Sequence, residues 1–162
     1  MNTNMTKPIA IICIGPGCSG KSTFARKLVA EKQFVEVNRD SIRFPDGVID
    51  WSKWESTPAN EQEVTDDWNR RLDNAICLGK NIVISDTNLN VNRREEYLSR
   101  KLTLAGYEVE LKYFVENLLT LLTRNAERDK DALPEEVIVS QQRRLLRELM
   151  DEADDVLASI RN

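Results

Sequence analysis

The sequence predicts an α/β sandwich: a mainly parallel sheet flanked by helices. Three observations carry that prediction. Residues 8–14, "PIAIICI", are a continuous apolar, β-branched run, as in a strand covered on both faces. Strand-like and helix-like segments then alternate, which implies crossover connections between parallel strands. Between the first strand and the first helix stands "GPGCSGKS", Gly15 to Ser22. It fits G-x-x-x-x-G-K-[ST] in the strand–loop–helix context that motif requires.

The elements follow in order. "KSTFARKLVAE" reads as a helix with Phe24, Leu28 and Val29 on one side, and 34–38, "FVEVN", as a short strand. Residues 44–60 hold two Pro, a Gly, Trp51 and Trp54, and read as irregular, with the composition of a flap. Residues 61–78 return to helical spacing, with Val64, Trp68, Leu72, Ala75 and Ile76 on one stripe and Gly79 as the stop. "NIVISD", 81–86, is a third strand, expected beside the first. Asn92 with Glu95 resembles a capping box for a helix ending near Gly106. Residues 107–115 alternate like a strand. A helix capped by Asn117 runs to "DKDALP", and Pro134 fits the first turn of a last helix, about 135–160. On that helix Leu145, Leu149, Val156 and Ile160 share a stripe, which either packs on the domain or forms a dimer seam. The expectation is one domain over 1–162 with a helical lid at about 124–136.

Composition narrows the function. The net charge is −4, so attraction to polyanions has to come from a local basic patch. There is no histidine, and Cys13, Cys18 and Cys77 fit no zinc spacing; reduced thiols in a cytoplasmic protein are expected. The start, "MNTNMTK", lacks a signal-peptide core, and no apolar run is long enough to cross a membrane.

Four motifs carry chemistry. In "GPGCSGKS" the glycines let backbone N–H groups curl around phosphates, at a helix N-terminus with partial positive charge. Lys21 is placed to reach the β- and γ-phosphates of ATP or another NTP, and the Ser22 hydroxyl to hold Mg²⁺. Gly15, Gly17, Ser19, Gly20, Lys21, Ser22 and Thr23 are the expected nucleotide contacts. Asp86, at a strand end, supports the metal indirectly, touches the acceptor, or simply forms a turn. In "NRDSIR" Asp40 is either a general base for an attacking hydroxyl or a helix N-cap, and Arg43 either an anion ligand or a solvated side chain. Arg124 and Arg128, four apart, either present two guanidiniums on one face of a lid helix or end a solvated helix.

Taken in order, "GPGCSGKS", "NRDSIR", "SDTNLN" and "TRNAERDKDALP" resemble the kinase half of phage-type polynucleotide kinase-phosphatases, over about residues 8–150. The resemblance implies a P-loop NTPase fold and ATP-dependent phosphorylation of 5′-hydroxyl ends of DNA or RNA. It implies Asp40 as general base and Lys21 and Arg128 as catalytic cations. Arg124 and Arg128 become lid ligands of the donor, Arg43 the ligand of the acceptor's 3′-phosphate, and Asp86 and Thr87 acceptor contacts. Leu133 and Val137 would touch the terminal base. Arg39 receives no role and is expected to face away. The D-x-D-x-T phosphatase motif is absent, so a separate phosphatase and ligase are expected partners. Segment 44–60 departs from the family pattern. The partners expected are single-stranded or end-exposed DNA or RNA 5′-OH termini, with no membrane, a homo-oligomer being open, in the cytoplasm (the host's, if phage-encoded). Two other functions remain open: a P-loop kinase of a small hydroxylated metabolite or antibiotic, and a non-catalytic NTP-binding regulator.

Overall fold

A computed structural model describes residues 6–160, apart from the side chains of Leu157 and Ile160. Residues 1–5, most of the "MNTNMTK" stretch, lie outside the described residues, as does the Ile160 side chain. Four parallel strands, β1 (Ile9–Ile14), β2 (Val35–Val37), β3 (Ile82–Ile84) and β4 (Glu108–Tyr113), form one sheet in the order β2-β3-β1-β4. β3 therefore lies beside β1, as expected, with Ala10 opposite Ile82 and Ile12 opposite Ile84.

Alternation along β1 splits the core into two layers. Ala10, Ile12 and Ile14 face one side, where they pack with Trp68, Leu72 and Ala75 of α3 (Pro58–Cys77), with Leu98 and Leu102, and with Leu145. Ile11 and Cys13 face the other side, against Ala25 and Leu28 of α1 (Lys21–Lys32). Burial on both faces explains why β1 carries no polar residue. Cys13, in that core, has its thiol pushed up to about 12 by burial. The free cysteines are Cys13, Cys18 and Cys77, the last exposed. No helix of the described residues is long and apolar enough to cross a membrane.

Several boundaries differ from the sequence reading. α3 begins at Pro58, capped by the Thr57 hydroxyl, which accepts from the Asn60 N–H at 3.1 Å. After β3, Asn90 and not Asn92 opens the next helix: its side chain accepts from the Arg93 N–H at 3.0 Å, while Asn92 is already helical. Residues Arg93–Ser99 are π-helical and run into α4 (Arg100–Leu104). α5 (Leu118–Ala126) is capped by Asn117, as expected, but ends two residues before Arg128. Arg124 and Arg128 therefore do not share a helix face. α6 (Glu135–Ile160) packs on the domain through Leu145 and Leu149, whereas Val156 is exposed.

Segment 44–60 is more ordered than its composition suggests. Phe44 is buried, with its ring 5.2 Å from that of Trp51 and 6.3 Å from that of Trp54. Asp50 caps a 3₁₀ turn at Trp51–Lys53. The Trp51 N–H donates to the Lys130 carbonyl at 3.1 Å, so the segment is tied to the lid.

Candidate active site

The connection leaving β1 crosses one face of the sheet through α1, and that leaving β3 crosses the other face toward β4. Their divergence opens a cleft of about 1300 Å³ at the carboxyl ends of the strands. The loop after β1 forms its floor. Cys18 and Gly20 have positive φ, 64° and 100°, which turns the backbone into the first turn of α1. The first backbone bond of that helix is Phe24 N–H to Gly20 carbonyl, so the amides before it are available to an anion.

The loop glycines differ in purpose. Gly15 donates its N–H to the Thr87 carbonyl at 3.1 Å, and a Cβ there would lie 2.8 Å from the Phe114 carbonyl oxygen. It does not line the cleft, and its task is the close approach of β1, β3 and β4. Gly17 donates to Gln141 Oε1 at 2.8 Å, and a Cβ there would meet Leu133 at 2.9 Å. The lid thus rests on the loop. Lys21 is buried, with Nζ donating to the Pro16 carbonyl and, at 3.3 Å, to Ser19 Oγ. Burial pulls its ammonium down to about 8. Ser22 and Thr23 are exposed in the cleft.

Beside the loop, Asp40 opens the short α2 (Asp40–Arg43). Asn38 takes the capping role: its Oδ1 accepts from the N–H groups of Asp40 at 2.8 Å and Ser41 at 3.1 Å. The Asp40 carboxylate is thereby left in the cleft, paired with Arg43 at 2.8 Å. Arg43 is not solvated either. Its Nε and Nη2 donate to Glu61 at 3.3 and 2.7 Å, and its guanidinium lies 5.8 Å from the centre of the Trp54 ring. Trp54 Nε1 donates to the same glutamate at 2.9 Å. These bonds, the Arg43 pair first, hold the Glu61 carboxyl below its ordinary range. Glu61 escaped the sequence reading because its partners lie 7 and 18 residues away.

Asp86 accepts from the Arg39 backbone N–H at 2.9 Å and from Trp68 Nε1 at 2.7 Å. It fixes the turn that presents Asp40. Burial raises its pKa, and these two bonds oppose the shift. Thr87 lines the cleft. Asn88 Nδ2 donates to the Cys13 carbonyl at 2.8 Å and ties β3 to β1. Arg39 does not face away: it lines the cleft, because the α2 turn swings it inward over Trp68.

On the lid, Arg124 Nη1 donates to the Cys18 carbonyl at 3.1 Å, and Arg128 faces the cleft beside Asp131 at 3.7 Å. Leu133 packs near the phosphate loop, with Cys18, Leu121 and Ile138, and not beside Asp40. Val137 does not line the cleft, since the adjoining Ile138 anchors that turn in the core. For Mg²⁺, no group of three or more acidic, Cys or His side chains among the described residues could hold a metal by itself.

A family model described as an AAA domain matches residues 11–149. The chain belongs to that family. A protein of Autographa californica nuclear polyhedrosis virus, named as a bifunctional polynucleotide kinase/RNA ligase, is 31% identical over 149 residues, covering 85% of this chain and 21% of its own length. A solved Pnkp1/Rnl/Hen1 RNA repair complex contains a chain that superposes with a TM-score of 0.76 at 23% identity, over 93% of this chain and 48% of that one. A gluconokinase from Sinorhizobium meliloti 1021 superposes at 0.56 with 16% identity, over 85% and 75%. This chain therefore spans about a fifth of the viral relative and about half of the repair-complex chain. The sheet, its flanking helices and the phosphate loop are those of a P-loop NTPase.

Proposed function

We propose that this chain is a P-loop kinase that transfers the γ-phosphoryl group of ATP or another NTP to the 5′-hydroxyl of a polynucleotide. The observation that carries the reading is the cleft itself: a phosphate-binding loop faces a carboxylate freed from capping, in a lining rich in cations. Nine of the lining side chains are Lys or Arg, against five carboxylates, on a chain of net charge −4. A neutral metabolite would not call for that excess; a polyanionic acceptor would. The kinase/ligase name of the viral relative and the RNA repair complex of the structural neighbour point to the same acceptor class.

In this reading Asp40 accepts the proton of the attacking 5′-hydroxyl, and Arg43 keeps the carboxylate oriented while offering its remaining N–H groups to the acceptor's 3′-phosphate. Glu61 and Trp54 position Arg43, and Asp86 positions the turn. Lys21, Arg124 and Arg128 stabilise charge on the transferred group and the leaving nucleotide. Ser22 would hold Mg²⁺, which neutralises phosphate charge when bound. A phosphatase and a ligase would act before or after this step as separate domains or proteins.

The test is transfer from labelled ATP to a 5′-OH oligonucleotide. Asp40→Asn should lower kcat by about 10²–10⁴-fold while ATP affinity is kept. Near wild-type transfer by that variant would remove Asp40 from the role of base.

A further inference from the structure

The cations of the cleft are not equivalent. Arg43 is paired with Asp40 and Glu61, Arg124 with Glu116 and Arg128 with Asp131. Arg39 and Arg93 both lie against one indole, with guanidinium carbons 5.9 and 5.6 Å from the centre of the Trp68 ring. Neither has a carboxylate within ion-pair distance among the described residues. The acids nearby are committed elsewhere. Asp86 gives its two oxygens to the Arg39 N–H and to Trp68 Nε1, and Glu61 gives its own to Arg43 and Trp54. One hydrogen bond, from Arg39 Nη1 to Thr65 Oγ1 at 3.0 Å, fixes the Arg39 side chain without neutralising it. Burial of Arg39 and the like charge of Arg93 both disfavour its protonated form. Two neighbouring guanidiniums, one of them half-buried, are the complement of an anion with several acceptor oxygens.

We propose that Arg39 and Arg93 form a second phosphate subsite on the acceptor side of the cleft. It takes a backbone phosphate of the acceptor strand other than the one beside Arg43. This rests on the polynucleotide reading and deepens it. The local backbone is built for the task. Asn90 caps the π-helical stretch at its first residue, so Arg93 turns to the cleft while Arg94 beside it enters the core. Trp68 is buried beneath the arginines and offers no face for a base to stack on. Recognition is therefore of phosphate and not of base. It makes the enzyme sensitive to acceptor length and indifferent to acceptor sequence.

The experiment compares two acceptors, a nucleoside 3′-monophosphate and a dinucleotide with 5′-OH and 3′-phosphate ends, with the intact chain. The wild type should use the dinucleotide with higher kcat/KM. In Arg93→Ala that advantage should shrink about tenfold, through KM and not kcat, and Arg93→Lys should retain part of it. Arg93 is exposed, so its truncation does not threaten the fold. Equal use of the two acceptors by the wild type overturns the subsite, as does an undiminished advantage in Arg93→Ala; the kinase reading stands in both cases. Phosphorylation of neither acceptor, nor of any 5′-OH oligonucleotide, by the wild type overturns the kinase reading and the subsite with it.

Discussion

Lys21 begins α1 with its ammonium under the loop that precedes it. Burial lowers its pKa from 10.5 to about 8. Between those values the unfolded chain carries a proton that the folded chain lacks, so this group makes stability rise as pH increases through the window. Its desolvation penalty is full below about pH 8. Bound phosphate reverses the preference. Nucleotide binding at about pH 9 should take up close to one proton, and at about pH 7 almost none, as read by calorimetry in buffers of different ionisation enthalpy. Lys21→Met should abolish the difference. The loop glycines give a second residue-scale prediction. A methyl on Gly15 meets the backbone oxygen of Phe114, whereas one on Gly17 meets the mobile end of Leu133. Gly15→Ala should cost about 1–3 kcal/mol, or roughly 2–12 °C in Tm, and Gly17→Ala about 1 kcal/mol or less, compared by thermal unfolding.

At the scale of elements, α6, packed through Leu145 and Leu149, is also tied by a buried charge pair to the π-helical stretch before α4. Arg94, 1% exposed, pairs with Glu148, which also accepts from Tyr113 at 2.9 Å on β4. Arg94 Nη1 reaches back to the Asn88 carbonyl at 2.9 Å, at the end of the strand that presents Asp86. Glu148→Gln leaves a buried guanidinium with only the exposed Glu95 carboxylate, 4.0 Å away, as counter-charge. It should cost about 3–5 kcal/mol in urea unfolding, whereas Arg94→Met with Glu148→Leu should recover most of that loss. A single variant as stable as wild type would show that α6 is held by its apolar stripe alone. The lid is tied down at two points, Leu133 on the phosphate loop and Lys130 on segment 44–60, and Gln141 of α6 also bonds the loop. That segment in turn holds Glu61 through Trp54, so donor and acceptor sides share one chain of contacts.

For the whole molecule, charge distribution decides the partner more than net charge does. The protein is acidic, yet its cleft is cationic. Polyanions should therefore bind only where they enter the cleft. For two or three neutralised phosphates on a single strand, the acceptor KM should rise roughly tenfold between about 50 and 200 mM salt. The affinity for a nucleic acid without an accessible 5′ end should be weak across that range. A KM that does not move with salt would deny the cleft its electrostatic role.

How much of this was legible beforehand follows from sequence distance. The sheet, the phosphate loop and the Asn117 cap were readable, because each is written in neighbouring residues whose local pattern has one low-energy outcome. β1 reads as buried because every residue in it is apolar. The helix start at 92 was misplaced, because a cap depends on which of two nearby asparagines the backbone reaches, and the end at 128 because the chain turns back after Ala126, where the Asn125 side chain bonds the Leu133 backbone. Asp40 and Arg43 could be named from "NRDSIR", but the sequence left them divided between a cap and a site. Only tertiary structure decided that Asn38 takes the cap, that Glu61 and Trp54 grip Arg43, and that Arg39 turns inward beside Arg93. Glu61 lies 18 residues from Arg43, and Arg39 and Arg93 follow β2 and β3, which the strand order β2-β3-β1-β4 sets side by side.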